Sequence, residues 1–212
     1  MKRLLENWRR YVNEQDSPIQ IYCDMDGVLV DFENGIINYM NKDLKDESRV
    51  PENLLISYNK LRKKLDELGR DQEAEISDIS KDPDQRVQAV RKYMYARVSD
   101  NFEFWSTLDW MPDGKQLWNH IKDMSPQIII LTTPMRGEGS YEGKKEWVNN
   151  KLGSQYEIIL EKDKWKYSGS NKLLIDDFSS NIIPWVAKGG LVIHHQNSID
   201  SIMALEEELA TI

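Results

Sequence analysis

A single cysteine, Cys23, stands among 212 residues. It excludes an intrachain disulfide and any zinc site built from several cysteines, and it agrees with a reducing compartment. No apolar run approaches the ~20 residues that a membrane-crossing helix needs. Residues 1–14 place Lys2, Arg3, Arg9 and Arg10 around Trp8 with no continuous apolar stretch, so they do not form a secretory signal. These absences point to a cytoplasmic protein that does not enter a membrane. Positive charge is also scarce: Lys and Arg number 28 against 36 Asp and Glu, a net charge of −8. Such a chain repels a phosphate backbone, which argues against an extended nucleic-acid footprint; a small anionic substrate would need a local cation. What remains is ordinary globular composition, 40% hydrophobic and 30% charged. The length suits one large domain, or a core with a smaller insert.

Short apolar runs recur at residues 19–23, 128–131, 158–160, 173–175 and 191–193. They are rich in β-branched residues and do not alternate, as expected of strands buried on both faces. Helical patterns lie between the later runs. Leu117, Trp118, Ile121 and Met124 share one face; Trp147, Val148 and Leu152 another; Ile182, Ile183 and Val186 a third. A closing helix is expected over 198–209, packing Ile199, Ile202, Met203 and Leu205. Strands alternating with helices predict a parallel sheet of about five strands sandwiched by helices.

Residues 32–100 break this rhythm and contain no convincing strand. Leu54, Leu55, Tyr58, Leu61, Leu65 and Leu68 step at helical spacing, and Asp82-Pro83 opens a second helix through Val87, Val90, Met94 and Val98. The acidic stretch 70–81 between them is expected to be a solvated loop. The chain thus divides into an N-terminal helix (1–18), a core (19–31 and 101–212) and a helical insert after the first strand (32–100). The N-terminal helix sets Leu4, Leu5, Trp8 and Val12 to one side, which suits packing on the core or on a second subunit of a homodimer better than a membrane.

Ligands of an open parallel sheet bind beyond the carboxyl ends of its strands. Here those ends are Asp24-Met25-Asp26-Gly27, Thr132-Thr133-Pro134, 161–164 and Asp176-Asp177. Carboxylate oxygens suit a hard cation such as Mg²⁺, with Asp24 and Asp177 as its suppliers. One Asp can attack phosphorus while a second carboxyl protonates the leaving oxygen and later activates water. Thr132 and Lys164 would stabilise the equatorial oxygens of the transferring group. Lys162 is the fallback for Lys164.

Asp24 to Leu29 (DMDGVL) resembles the first motif of the haloacid dehalogenase (HAD) superfamily. Thr132 resembles the second, Lys164 the third, and Leu173 to Asp177 (LLIDD) the fourth. Within it the chain is most similar to the 5'(3')-deoxyribonucleotidases and their bacterial and phage-encoded relatives. That likeness is carried by residues 24–33, Phe104-Trp105, 112–114, 131–134, 145–148 and 158–164. It implies a HAD-like core with a helical cap, a deoxyribonucleotide substrate, Asp24 as nucleophile and Asp26 as acid/base. It also implies Mg²⁺ held by Asp24, the Asp26 carbonyl and Asp177, with Asp176 as an outer or alternative ligand, and Phe32 lining the nucleoside pocket. Thr133, Trp105 and Lys162 are further substrate-binding candidates.

Each motif also has a plainer reading. An isolated Asp-x-Asp-Gly is a turn with capping acids, and Asp176-Asp177 alone is a helix cap. Another phosphate monoester, or binding without turnover, remains as an alternative function. Residues 137–145 lack the spacing of a phosphate-binding P-loop and are expected to form a mobile loop. Cys23 is expected in the core. His194 and His195 point to opposite sides of a strand and do not make a metal pair.

Overall fold

The computed structural model describes residues 19–67, 85–124 and 127–210. The N-terminal helix expected over 1–18, the acidic loop at 70–81 and the Asp82-Pro83 helix start lie outside the described residues. Among those described are five strands, β1 (Gln20–Cys23), β2 (Ile128–Thr132), β3 (Glu157–Leu160), β4 (Lys172–Asp176) and β5 (Leu191–His194). The helices are α1 (Phe32–Lys45), α2 (Leu55–Glu67), α3 (Gln85–Val98), α4 (Phe102–Ser106), α5 (Gly114–Met124), α6 (Glu138–Lys151), α7 (Ser179–Ala187) and α8 (Ser198–Ala210).

Every expected apolar run is a strand, and all pair in parallel in the order β3-β2-β1-β4-β5. Cys23 is level with Ile130 on one side and Ile175 on the other, so β1 is the middle strand. Its carboxyl end therefore opens between the ends of β2 and β4. Burial follows position in the sheet. The three inner strands are almost wholly buried, whereas β3 and β5, each with one neighbour, are only partly covered. Burial on both faces thus holds for the inner strands and not for the edges. One face of the sheet packs Tyr22, Ile129, Leu131 and Leu174 around Trp185 of α7.

Two helices sit in a different phase from the one their apolar residues suggest. In α8, Ile199 and Met203 are exposed while Ser198, Ser201 and Leu205 are buried. Ser198 donates its backbone N–H to Asp113 Oδ2 (2.6 Å) and its hydroxyl to the Asp113 carbonyl (2.8 Å). Ser201 Oγ meets His195 Nδ1 at 2.8 Å. These polar ties fix the helix rotation, and a buried polar group left unpaired would cost more than an exposed isoleucine. In α7 the buried residue is Trp185, and Ile183 and Val186 face outward.

The loop expected at 137–145 is instead helix α6 from Glu138 onward. Gly139 donates its N–H to Asp100 Oδ1 (2.8 Å), and a side chain at Gly139 or Gly143 would strike Asp100 or Trp105 and the Phe102 carbonyl. Glycines that resemble a loop are here points of close packing.

The chain groups into two compact units. One comprises the chain through Asp31, Trp110–Pro134 and Val148 onward; the other comprises Phe32–Asp109 and Met135–Trp147. The second is helical, with no strand among its described residues. Its centre holds a buried carboxylate, Asp43, paired with Arg97 Nε at 2.8 Å and with Arg49 at 3.5 Å. The Tyr93 hydroxyl donates to Asp43 Oδ2 (3.4 Å) and the Tyr58 hydroxyl to the Asp43 carbonyl (3.2 Å), and Met40, Leu61 and Met94 are buried in the same unit.

Candidate active site

The backbone N–H of Asp24 still donates to the Ile175 carbonyl (2.9 Å), so Asp24 prolongs the β1 ladder by one residue. Immediately afterward the chain turns. Leu29 and Val30 both donate to the Met25 carbonyl (2.9 and 2.8 Å), and Gly27 accomplishes the turn with φ +78°. Asp24 is buried. Its Oδ1 accepts from the Met25 N–H at 2.7 Å and meets Lys164 Nζ at 2.8 Å. No donor among the described residues engages Oδ2, which leaves that oxygen available for reaction.

Lys164 opens a 3-10 turn (Lys164–Tyr167) after β3 and is buried. Its ammonium bridges Asp24 and Asp176, reaching Asp176 Oδ2 at 2.7 Å. Burial alone would depress the Lys164 pKa; the charges of Asp24 and Asp176 outweigh it and hold it above the ordinary lysine value. Asp176 is saturated further by the Phe178 N–H (2.9 Å) and by Asn181 Nδ2, 3.1 Å from both carboxylate oxygens.

Asp177 is differently placed. It is exposed, and its carbonyl lies 3.1 Å from His194 Nε2. Oxygens of Asp24, Asp176 and Asp177 all lie within 4.8 Å of one another. Partial desolvation first, then the charges of Asp24 and Asp176, push the Asp177 pKa up to about 6. An all-carboxylate donor set of this kind fits a hard divalent cation. Since Asp176 is occupied by Lys164, Phe178 and Asn181, Asp24 and Asp177 are the pair with oxygens to offer.

The other expected residues of this unit lie at the same strand ends with distinct environments. Asp26 is half-buried in the turn after β1. Thr132 is buried at the end of β2, and the Thr133 hydroxyl donates to the Glu161 carbonyl at 3.4 Å. Lys162 is exposed. Phe32 and Trp105 belong to the helical unit, where their rings stack at 5.2 Å and Trp105 Nε1 donates to the Val98 carbonyl (2.8 Å). His195 is buried against Ser201 while His194 is exposed, so the two share no ligand position. Burial pushes the Cys23 thiol pKa up, leaving it a neutral core group.

One residue escaped the sequence reading, and another lies in surroundings other than those expected. Asn181 was hidden because an Asn in the first turn of a helix is commonplace; its place four residues after Asp177 is the only signal. Lys144, read as part of a loop, is fully buried with Nζ 4.9 Å from the Trp105 ring centroid.

This fold, taken with the family match that follows, puts the chain in one class: HAD-like hydrolases of phosphate monoesters. Within it, the chain belongs to the family described as 5' nucleotidase, deoxy (pyrimidine), cytosolic type C, which matches residues 17–202. The chain is 28% identical over 166 residues to the cytosolic type 5'(3')-deoxyribonucleotidase of Homo sapiens, covering 75% of this chain and 70% of that protein. Among solved structures, it is similar to a haloacid dehalogenase-like hydrolase from Xanthomonas campestris, with 14% identity, TM-score 0.49, and coverage of 91% and 93% of the two chains. A HAD-superfamily hydrolase from Geobacter sulfurreducens is similar at 12% identity and TM-score 0.47, with coverage of 85% and 88%. No helix among the described residues is long and apolar enough to cross a membrane.

Proposed function

We propose that the chain is a Mg²⁺-dependent phosphatase of nucleoside monophosphates, deoxyribonucleotides foremost, with Asp24 as its nucleophile. The observation that carries this reading is the engagement of Asp24 Oδ1 by Lys164 and the Met25 N–H, which orients the carboxylate and leaves Oδ2 to attack. In the first step Oδ2 bonds to phosphorus as the bond to the nucleoside oxygen breaks, and Asp26 gives that oxygen its proton. In the second, Asp26 takes a proton from water, the water oxygen attacks the aspartyl-phosphate, and inorganic phosphate leaves with Asp24 restored. Thr132 and Lys164 stabilise the phosphoryl oxygens. Asp24, the Asp26 carbonyl and Asp177 would hold Mg²⁺, which offsets the mutual repulsion of carboxylates and phosphate. Asp176 acts through Lys164, which it holds in place together with Asn181. Choice of the nucleoside is assigned to the helical insert, with Phe32 as its aromatic contributor.

Phosphate release from a panel of deoxyribonucleoside and ribonucleoside monophosphates and sugar phosphates tests the reading. Turnover of the 5'- and 3'-deoxyribonucleotides is expected, with loss in EDTA and in Asp24→Asn. Equal rates on every ester, or none on deoxyribonucleotides, would overturn the nucleotidase assignment. Full activity of Asp24→Asn would remove Asp24 from its role.

A further inference from the structure

We propose that the outer flank of α5 carries a second ligand site, separate from the catalytic rim, that binds a nucleoside triphosphate. Lys115, Trp118, Asn119 and Lys122 recur at helical spacing and form one stripe of α5. Opposite them stand Lys151, at the end of α6, and Gln155 and Tyr156, just before β3. Together these residues line a cavity of about 450 Å³, within the range of small-molecule sites. Lys122, Gln155 and Tyr156 lie toward the amino ends of the strands, whereas Asp24, Lys164 and Asp177 lie at the carboxyl ends.

Charge is the first reason to assign a ligand. Three lysines elsewhere on the surface have carboxylates: Lys64 has Glu67, Lys145 has Glu142, and Lys166 has Glu161 and Asp163. No carboxylate lines this cavity, and none of Lys115, Lys122 and Lys151 has an ion pair with a described residue. Three cations gathered without counter-charge on a chain of net charge −8 are a local reversal of field. An anion of several charges relieves their repulsion.

The remaining lining selects among anions. Trp118 and Tyr156 meet edge to face at 4.7 Å, and Lys115 lies over the Trp110 ring at 5.8 Å. Tyr156 and Trp110 are only half-buried, so aromatic surface remains for a planar base. The exposed amides of Asn119 and Gln155 offer a donor and an acceptor each. Lys115 and Lys122 are two turns apart, about 10 Å along the helix. One phosphate does not bridge that distance, whereas a polyphosphate with its nucleoside does. A nucleic-acid strand carries the same groups, but the net acidity of the chain disfavours a ligand that extends past the patch.

The test is calorimetric titration of the full chain with ATP in EDTA, which keeps divalent ions out of the catalytic rim. Saturable binding is expected, weaker by about tenfold or more in the Lys115→Ala/Lys122→Ala double variant, whose exposed positions should leave the melting temperature unchanged. Asp24→Asn should bind ATP as the parent does, and adenosine and tripolyphosphate should each bind more weakly than ATP. Absence of binding at millimolar ATP, equal binding by the double variant, or loss in Asp24→Asn would overturn the proposal. Tighter binding of an oligodeoxythymidylate than of ATP would also overturn it, in favour of a strand groove. Because binding is read without turnover, the outcome is independent of the nucleotidase assignment.

Discussion

Gly27 lies directly against the carboxylate of Asp177, and a β-carbon at Gly27 would run into Oδ2. The glycine serves twice: it takes φ +78°, and it leaves room for the acid across the turn. Gly27→Ala is expected to destabilise the protein by about 1–2 kcal/mol from the left-handed backbone alone. It should also displace Asp177 and so weaken Mg²⁺ activation. Urea unfolding with a Mg²⁺ titration of phosphate release checks both; wild-type metal dependence would refute the second.

Lys164 neutralises two buried carboxylates, so its removal leaves them facing each other without a cation. Lys164→Met should lose about 3–5 kcal/mol of stability, the usual cost of breaking a buried pair from one side. Turnover should fall with it when assayed well below the melting temperature. An equally stable Lys164→Met protein would mean that the bridge contributes nothing to folding.

The helical unit has its own buried pair. Asp43→Ala strands Arg97, whose side chain is only 9% exposed, and is expected to destabilise by about 3 kcal/mol or more. The double variant Asp43→Ala/Arg97→Met should recover part of that loss, as a double-mutant cycle measured by chemical denaturation would reveal.

Two groups give stability opposite slopes with pH. Burial lowers the His195 pKa below 6.5, so the fold favours the neutral ring; its contribution is present above 6.5 and is lost as pH falls through the lowered value. The Asp177 pKa is raised from 3.8 to about 6, so the fold favours the protonated acid; that contribution is present below 3.8 and is lost as pH rises through about 6. In EDTA, His195→Gln should flatten the gain in melting temperature on approaching neutrality. Asp177→Asn should remove the decline above about pH 4. Unchanged profiles in both variants would count against these shifts.

The strands and the parallel sheet were legible because inner strands must be apolar on both faces, and that pattern survives without knowledge of the partners. The rim acids were legible because the carboxyl ends of such strands follow directly from the runs. The phases of α7 and α8 were not, since Asp113 and His195, which fix α8, lie distant in sequence or outside the helix they orient. Helix α6 was obscured for a related reason: Gly139 and Gly143 are explained only by Asp100 and Trp105, which tertiary packing brings to them. The clamp of Asn181 on Asp176 is likewise a property of the folded turn and leaves no periodic trace.

The hydrogen bond from the Asp24 N–H to the Ile175 carbonyl puts the proposed nucleophile on the part of the sheet least free to open. Edge strands and helix ends exchange their amide hydrogens through local fluctuations, whereas a central strand does so mainly through global unfolding. Asp24 is therefore anchored for as long as the sheet exists. Breathing of the periphery can alter the access of a substrate or the order of a neighbouring loop, but it leaves the proposed nucleophile registered to the core.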